Sequence, residues 1–111
     1  MHSAGALGEF EQIVLLAILQ LGDEVYGVPI VEEIQRRTGR HVAPAAVYIT
    51  LRRLEQKGLV TSWLGDPRPE RGGKARRYVT VTPAGLENLR IARQVIDQMW
   101  RGLAPDLRGL K

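Results

Sequence analysis

The chain has 111 residues, 44% hydrophobic, 25% charged and 5% aromatic, with a formal net charge of +4 and no cysteine. That is one domain's length with a modest core, and the lack of cysteine excludes disulfides, thiolate metal sites and a cysteine nucleophile. The longest apolar run, Ile13 to Leu19, is far too short to span a bilayer, and Met1 to Gly8 lacks the features of a signal peptide, so a cytoplasmic setting is expected.

Residues 1–7 read as a flexible N-terminal arm. Gly8 to Leu21 reads as a helix, apolar on nearly all sides between Ile13 and Leu19 and therefore expected to be central and buried. Gly22 and Asp23 end it. A second helix follows the Tyr26–Gly27 turn, with Val28, Val31 and Ile34 on its inner stripe. Its Glu32, Glu33, Arg36 and Arg37 have the i, i+4 spacing of an exposed face. Gly39 closes this helix, and residues 39–43 turn into a third.

In the third helix Val47, Leu51 and Leu54 share one stripe and should face a core. The opposite side carries Ala45, Ile49, Arg52, Arg53 and Gln56, with Tyr48 on the flank and Lys57 at the end. Pro44 suits the first turn and Gly58 the stop. Ala43 stands at the cap position, so this end forgoes a side-chain cap worth about 0.5–2 kcal/mol and depends on tertiary packing.

Leu59 to Leu64 and Arg77 to Val81 read as two strands. The connection between them holds Pro67, Pro69, Gly72 and Gly73 and is too long for a tight turn. Thr82 and Pro83 read as N-cap and first residue of a last helix running to residue 104. Along it Leu89, Ala92, Ile96, Met99 and Leu103 recur at alternating intervals of three and four, which is a heptad seam. Val95 and Trp100 widen that seam, and so broad a stripe suggests a partner surface; the plainer alternative is a helix packed on its own domain. Pro105 should end the helix, leaving 105–111 as a frayed tail.

The expected fold is therefore mainly α with a small β-hairpin: a winged helix-turn-helix over residues 8–82, followed by a C-terminal dimerisation helix. The charge distribution gives this layout a use. Residues 65–77 contain Arg68, Arg71, Lys74, Arg76 and Arg77 against Asp66 and Glu70, a net of +3, and residues 44–57 contain Arg52, Arg53 and Lys57 against Glu55, a net of +2. The rest of the chain is slightly acidic, so the positive charge sits on the two elements that a winged helix presents to a phosphate backbone. Double-stranded DNA is the expected partner. Arg52, Arg53, Gln56, Ile49 and Ala45 are the candidates for base edges, with Tyr48, Lys57, Arg68, Arg71, Lys74, Arg76 and Arg77 for phosphate or the adjacent minor groove.

The stretches GEFEQIVLLAIL, YGVPIVEEI, AVYITLRRLEQKGLV and ERGGKARRYVTVTPAG resemble, at their spacing, the PadR family of bacterial transcriptional regulators. The likeness runs from about residue 7 to residue 86, and the single terminal helix resembles the compact branch of the family. It implies a homodimeric repressor on an inverted-repeat operator, released by an effector. It also implies a place for Trp100, since in compact members an aromatic residue on this helix can face a cavity between subunits and stack on planar compounds. Two alternatives stand beside this reading: a sensor whose main task is binding multidrug or phenolic molecules at Trp100, and a winged-helix module that binds proteins. Catalysis is a poor fit. His2 and His41 lack a nucleophile, an acid–base partner or a metal-ligand spacing, and no cofactor or metal is expected.

Overall fold

A computed structural model describes residues 7–67, 72 and 75–103. Four helices and one hairpin follow in the order α1 (Glu9–Leu21), α2 (Gly27–Thr38), α3 (Pro44–Gln56), β1 (Val60–Leu64), β2 (Arg77–Val81) and α4 (Pro83–Trp100). The fold is the expected one, mainly helical with an antiparallel hairpin. Strand β1 pairs with β2 from Val60 opposite Val81 to Leu64 opposite Arg77.

Helix α1 lies at the centre and packs on α2, α3, α4 and β2. Its Val14, Leu15 and Ile18 join Ile30 and Ile34 of α2, Val47 and Leu54 of α3, and Val60 and Val79 of the hairpin in one core. The first turn of α1 is closed by its own Glu11, whose Oε1 accepts the Gly8 N–H at 2.9 Å, the returning half of a capping box. Leu7, placed in the arm by sequence, is buried against this core. Gln12 donates to its carbonyl at 3.2 Å, which holds it at the helix start, so the core begins one residue earlier than expected.

Three other expectations shift. Helix α1 is not covered on every side: Leu16 and Leu19 remain 48% and 42% exposed. The inner stripe of α2 is Ile30 and Ile34 with Val31 partly buried, while Val28, in the first turn, is half exposed. Glu33 is buried rather than on the outer face. It tolerates burial because Arg36 donates to its carboxylate at 2.7 Å and Arg37 donates to the other oxygen.

The junction of α3, hairpin and α4 is built by hydrogen bonds. Gly58 takes a left-handed φ of 76°. Its N–H donates to the Glu55 carbonyl at 3.0 Å, and the Leu59 N–H donates to the Leu54 carbonyl at 2.9 Å. Those two bonds make a Schellman stop, with Leu54 and Leu59 both buried beneath it. Thr82 then ties α4 to this corner. Its hydroxyl donates to the Gly58 carbonyl at 2.8 Å and accepts the Gly85 N–H at 3.1 Å, the N-cap expected from Thr82-Pro83.

Gly85 packs so closely that a β-carbon there would stand 2.4 Å from the Leu59 carbonyl oxygen. Backbone cannot swing aside as a side chain does. Gly85→Ala is therefore expected to cost about 1–3 kcal/mol, the usual range for overpacking, read as a lower urea midpoint. An unchanged midpoint would show that the junction relaxes freely.

At its far end α4 stops at Trp100, short of the expected residue 104. Arg101 is extended and Gly102 takes a φ of 88°. Leu103 therefore lies beyond the helix and outside the helical register of the seam. Pro105 and the tail lie outside the described residues.

Candidate nucleic-acid interface

Helix α3 is pinned from within and free on its outer side. Val47 and Leu54 are fully buried, Thr50 is buried beside them and Leu51 is partly buried. No side chain caps its start, as Ala43 implies. Ala45, Tyr48, Ile49, Arg52, Arg53 and Gln56 are all exposed, Tyr48 and Ile49 by about half. The stripe expected from spacing and the face expected for DNA thus lie on opposite sides.

The Tyr26–Gly27 pair has a structural explanation. A β-carbon at residue 27 would lie 2.5 Å from the Tyr48 ring, so the glycine gives that ring its seat at the start of α2. Tyr26 stands edge-on to Tyr78 with centroids 6.0 Å apart, and the Arg76 guanidinium lies 4.1 Å from the Tyr26 ring centre. Tyr26 thus anchors the turn to the hairpin. Trp63, the cross-strand partner of Tyr78, lies tilted against it with centroids 6.0 Å apart and is 45% exposed. Just upstream, the Val25 carbonyl accepts the Val79 N–H at 2.8 Å, giving β2 a one-residue neighbour on its second edge.

The basic side chains separate into bound and free. Lys57 donates to Glu11 Oε2 at 2.8 Å, joining the end of α3 to α1. Arg40, just before α3, donates to Glu9 at 3.0 Å. The acidic first turn of α1 thus holds the turn between α2 and α3 and the end of α3, and its carboxylates also suit the positive dipole end of α1. Arg77 donates to the Ser62 hydroxyl at 3.1 Å, and that hydroxyl donates to Glu55 Oε2 at 2.8 Å. Between α3 and the hairpin lies a cleft of 220 Å³ lined by Tyr48, Arg52, Glu55, Ser62 and Arg77. Sequence reading singled out neither Ser62 nor Glu55. The register of the strands against α3 brings them together, and local spacing contains no trace of that. Arg68, Arg71 and Lys74 lie outside the described residues.

Two carboxyls respond to these pairs. The hydrogen bonds from Arg37 and then Arg36 hold Glu33 below its ordinary 4.5. Burial works against ionisation of Glu11, but Lys57, the Gly8 N–H and Arg53 outweigh it and lower this carboxyl too. A lowered folded pKa means stability that is complete above the unfolded value and lost as pH falls through the folded one. Glu33→Gln is therefore expected to lower stability near neutrality and to flatten the acid limb below pH 4.5. Melting temperature against pH would check this. A variant as acid-sensitive as the wild type would assign that limb to other groups.

The seam residues lie on and just beyond α4, which packs on α1 and β2. Leu89 packs partly on the core and Ala92 is half-buried. From Arg93 to Leu103 every side chain is exposed, Ile96 by 54%, Met99 by 74%, Trp100 by 59% and Leu103 by 52%. Leu16 and Leu19 of α1 meet Leu86, Leu89 and Ile96 along a groove of 510 Å³. No helix among the described residues is long and apolar enough to cross a membrane.

The family model for PadR-like transcriptional regulators matches residues 15–91, from the middle of α1 through the first half of α4. The chain belongs to the PadR-like family. It is 37% identical over 79 residues to the transcriptional regulator Rv3488 of Mycobacterium tuberculosis, covering 71% of this chain and 69% of that one. An uncharacterised protein of Lysinibacillus sphaericus is 30% identical over 105 residues, covering 86% of this chain and 92% of its own. Among solved structures, a PadR family transcriptional regulator from Eggerthella lenta is 28% identical with a TM-score of 0.65, covering 86% of this chain and 82% of that one. This PadR-like chain is thus a winged-helix, DNA-binding transcriptional regulator.

Proposed function

We propose that this regulator is a cytoplasmic homodimeric repressor that reads an inverted-repeat operator. The observation that carries the reading is the division of the surface. An exposed basic helix packs on a hairpin whose connecting sequence is basic, and a broad apolar strip on α4 and α1 lies uncovered elsewhere. Contiguous apolar surface of that kind marks an interaction site, and a two-fold pair is the commonest way to cover one. Two α3 helices related by that symmetry would enter successive major grooves about one helical turn apart.

Within each half, Arg52, Arg53, Gln56, Ile49 and Ala45 face base edges, while Tyr48, Arg77, Arg68, Arg71 and Lys74 meet phosphate or the minor groove. Lys57 and Arg76 take a different part. The first is committed to Glu11 and the second to Tyr26, so they hold the reading elements in place. Hydroxyl-radical footprinting on a duplex selected by the protein is expected to show two symmetric protected patches one turn apart. A single asymmetric patch would overturn the paired arrangement.

The exposure of Trp100 beside Met99 supports a further part of the reading, a planar aromatic effector that stacks on its indole. Stacking adds about 0.5–1.5 kcal/mol beyond area burial. It releases DNA only if the ligand prefers the arrangement that does not bind DNA. Titration with planar cationic dyes and phenolic acids should quench tryptophan fluorescence in the wild type and lose that component in Trp100→Phe. Quenching that persists unchanged in the variant would locate the ligand elsewhere.

A further inference from the structure

Helix α3 carries basic side chains on its outer side, and a single acidic residue interrupts them: Glu55, one turn beyond Arg52. A carboxylate in that position repels backbone phosphate, and a free glutamate would swing clear of it. Here it is held. Ser62 donates to its Oε2 at 2.8 Å, and Arg77 donates to Ser62 at 3.1 Å. The relay crosses from α3 to both strands of the hairpin. Ser62 and Arg77 lie on the strand face that meets α3, the face shared by Val60 and Val79. Glu55 nevertheless remains exposed, at the edge of the cleft that Arg52 and Tyr48 also line.

A fixed carboxylate differs from a mobile one in what it can discriminate. It accepts hydrogen bonds only, so a base amino group, of cytosine above all, satisfies it and a phosphate does not. Because the side chain is already ordered, little rotamer freedom is lost when a donor arrives, and little escape is open when a phosphate does. We propose that Glu55 is a specificity-determining residue of the DNA interface: held by Ser62 and Arg77, it accepts a base-edge amino group in the cognate duplex and penalises every other sequence or register. The inference rests on α3 being the reading helix.

The test compares two duplexes, one enriched by the wild-type protein from a randomised library and one scrambled to the same composition. Glu55→Gln keeps an acceptor for Ser62 and removes the charge. It is expected to bind the scrambled duplex more tightly and to lower the ratio of the two affinities about tenfold, within the range for one base contact. Ser62→Ala should release the carboxylate and lower the ratio in the same direction, and Ser62→Thr, which keeps the hydroxyl, should restore it. A reselected library for Glu55→Gln should also relax at one symmetric pair of positions. A ratio unchanged in Glu55→Gln, including a parallel loss on both duplexes with a lower melting temperature, would overturn the proposal and reduce Glu55 to a structural tie. Failure of the wild type to prefer any duplex would remove the reading helix itself. A wild-type preference that survives Glu55→Gln removes this inference alone.

Discussion

Operator binding is expected to weaken about 10³–10⁵-fold between about 50 and about 200 mM salt, as for a protein that neutralises about 6–10 phosphates. The reason is the placement of charge. Arg52 and Arg77 stand exposed at the cleft between α3 and the hairpin, Arg53 is exposed on the same helix, and the connection adds Arg68, Arg71 and Lys74, all of them twice in the proposed dimer. Replacing Arg68, Arg71 and Lys74 with Ala should weaken binding to all duplexes and flatten the salt dependence. Arg52→Ala should in addition alter sequence preference, at about 1–3 kcal/mol for one lost base contact. Lys57→Ala separates the two kinds of basic residue. Its ammonium is held by Glu11, so its loss should lower stability and leave the salt slope nearly as it was. Fluorescence anisotropy over a salt series measures all of these, and binding indifferent to both salt and the arginines would sink the assigned surface.

The parts of this interface that could be read from sequence are those governed by local rules. The 4-3 spacing of Val47, Leu51 and Leu54 gave the buried side of α3 and thereby its outer side. Thr82-Pro83 and Gly58 marked a helix start and stop that the hydrogen bonds bear out. The misplacements have a common origin. The wheel of α2 alone places Val28 inward and Glu33 outward, but α1 and α3 decide which of its sides is covered, and Ile30, Glu33 and Ile34 are the ones buried. The apolar residues on nearly all sides of α1 point to a buried helix, but no local rule states how many neighbours it will have. The Arg77–Ser62–Glu55 relay, the Tyr48 ring over Gly27, and the hold of Glu9 on the turn before α3 and of Glu11 on its end are all contacts between elements. Residue types could not announce them. The motif YG nonetheless carried a trace, since a glycine at that point has a use only if something large lies against it.

If the proposed dimer forms through α4, Ile96→Asp is expected to convert it into folded monomer and to cost about 10²–10⁴-fold in operator affinity, the contribution of joining two binding heads. The choice of residue matters. Leu89 belongs to the same seam but packs partly on the protomer's own core, so a charge there would threaten folding and confuse the result. Ile96 is 54% exposed within the protomer and lies in the groove with Leu16, Leu19 and Leu86. An aspartate there is solvated in the monomer and becomes costly only when a partner covers it. The expected signature is therefore a sedimentation coefficient of monomer, an unchanged urea midpoint at low concentration, and residual half-site binding with its salt dependence intact. The basic face is untouched, so what is lost is the coupling between heads rather than contact with DNA. Wild-type protein that sediments as monomer at micromolar concentration, yet binds a palindrome tightly, would remove α4 from the assembly and leave its apolar strip to some other partner.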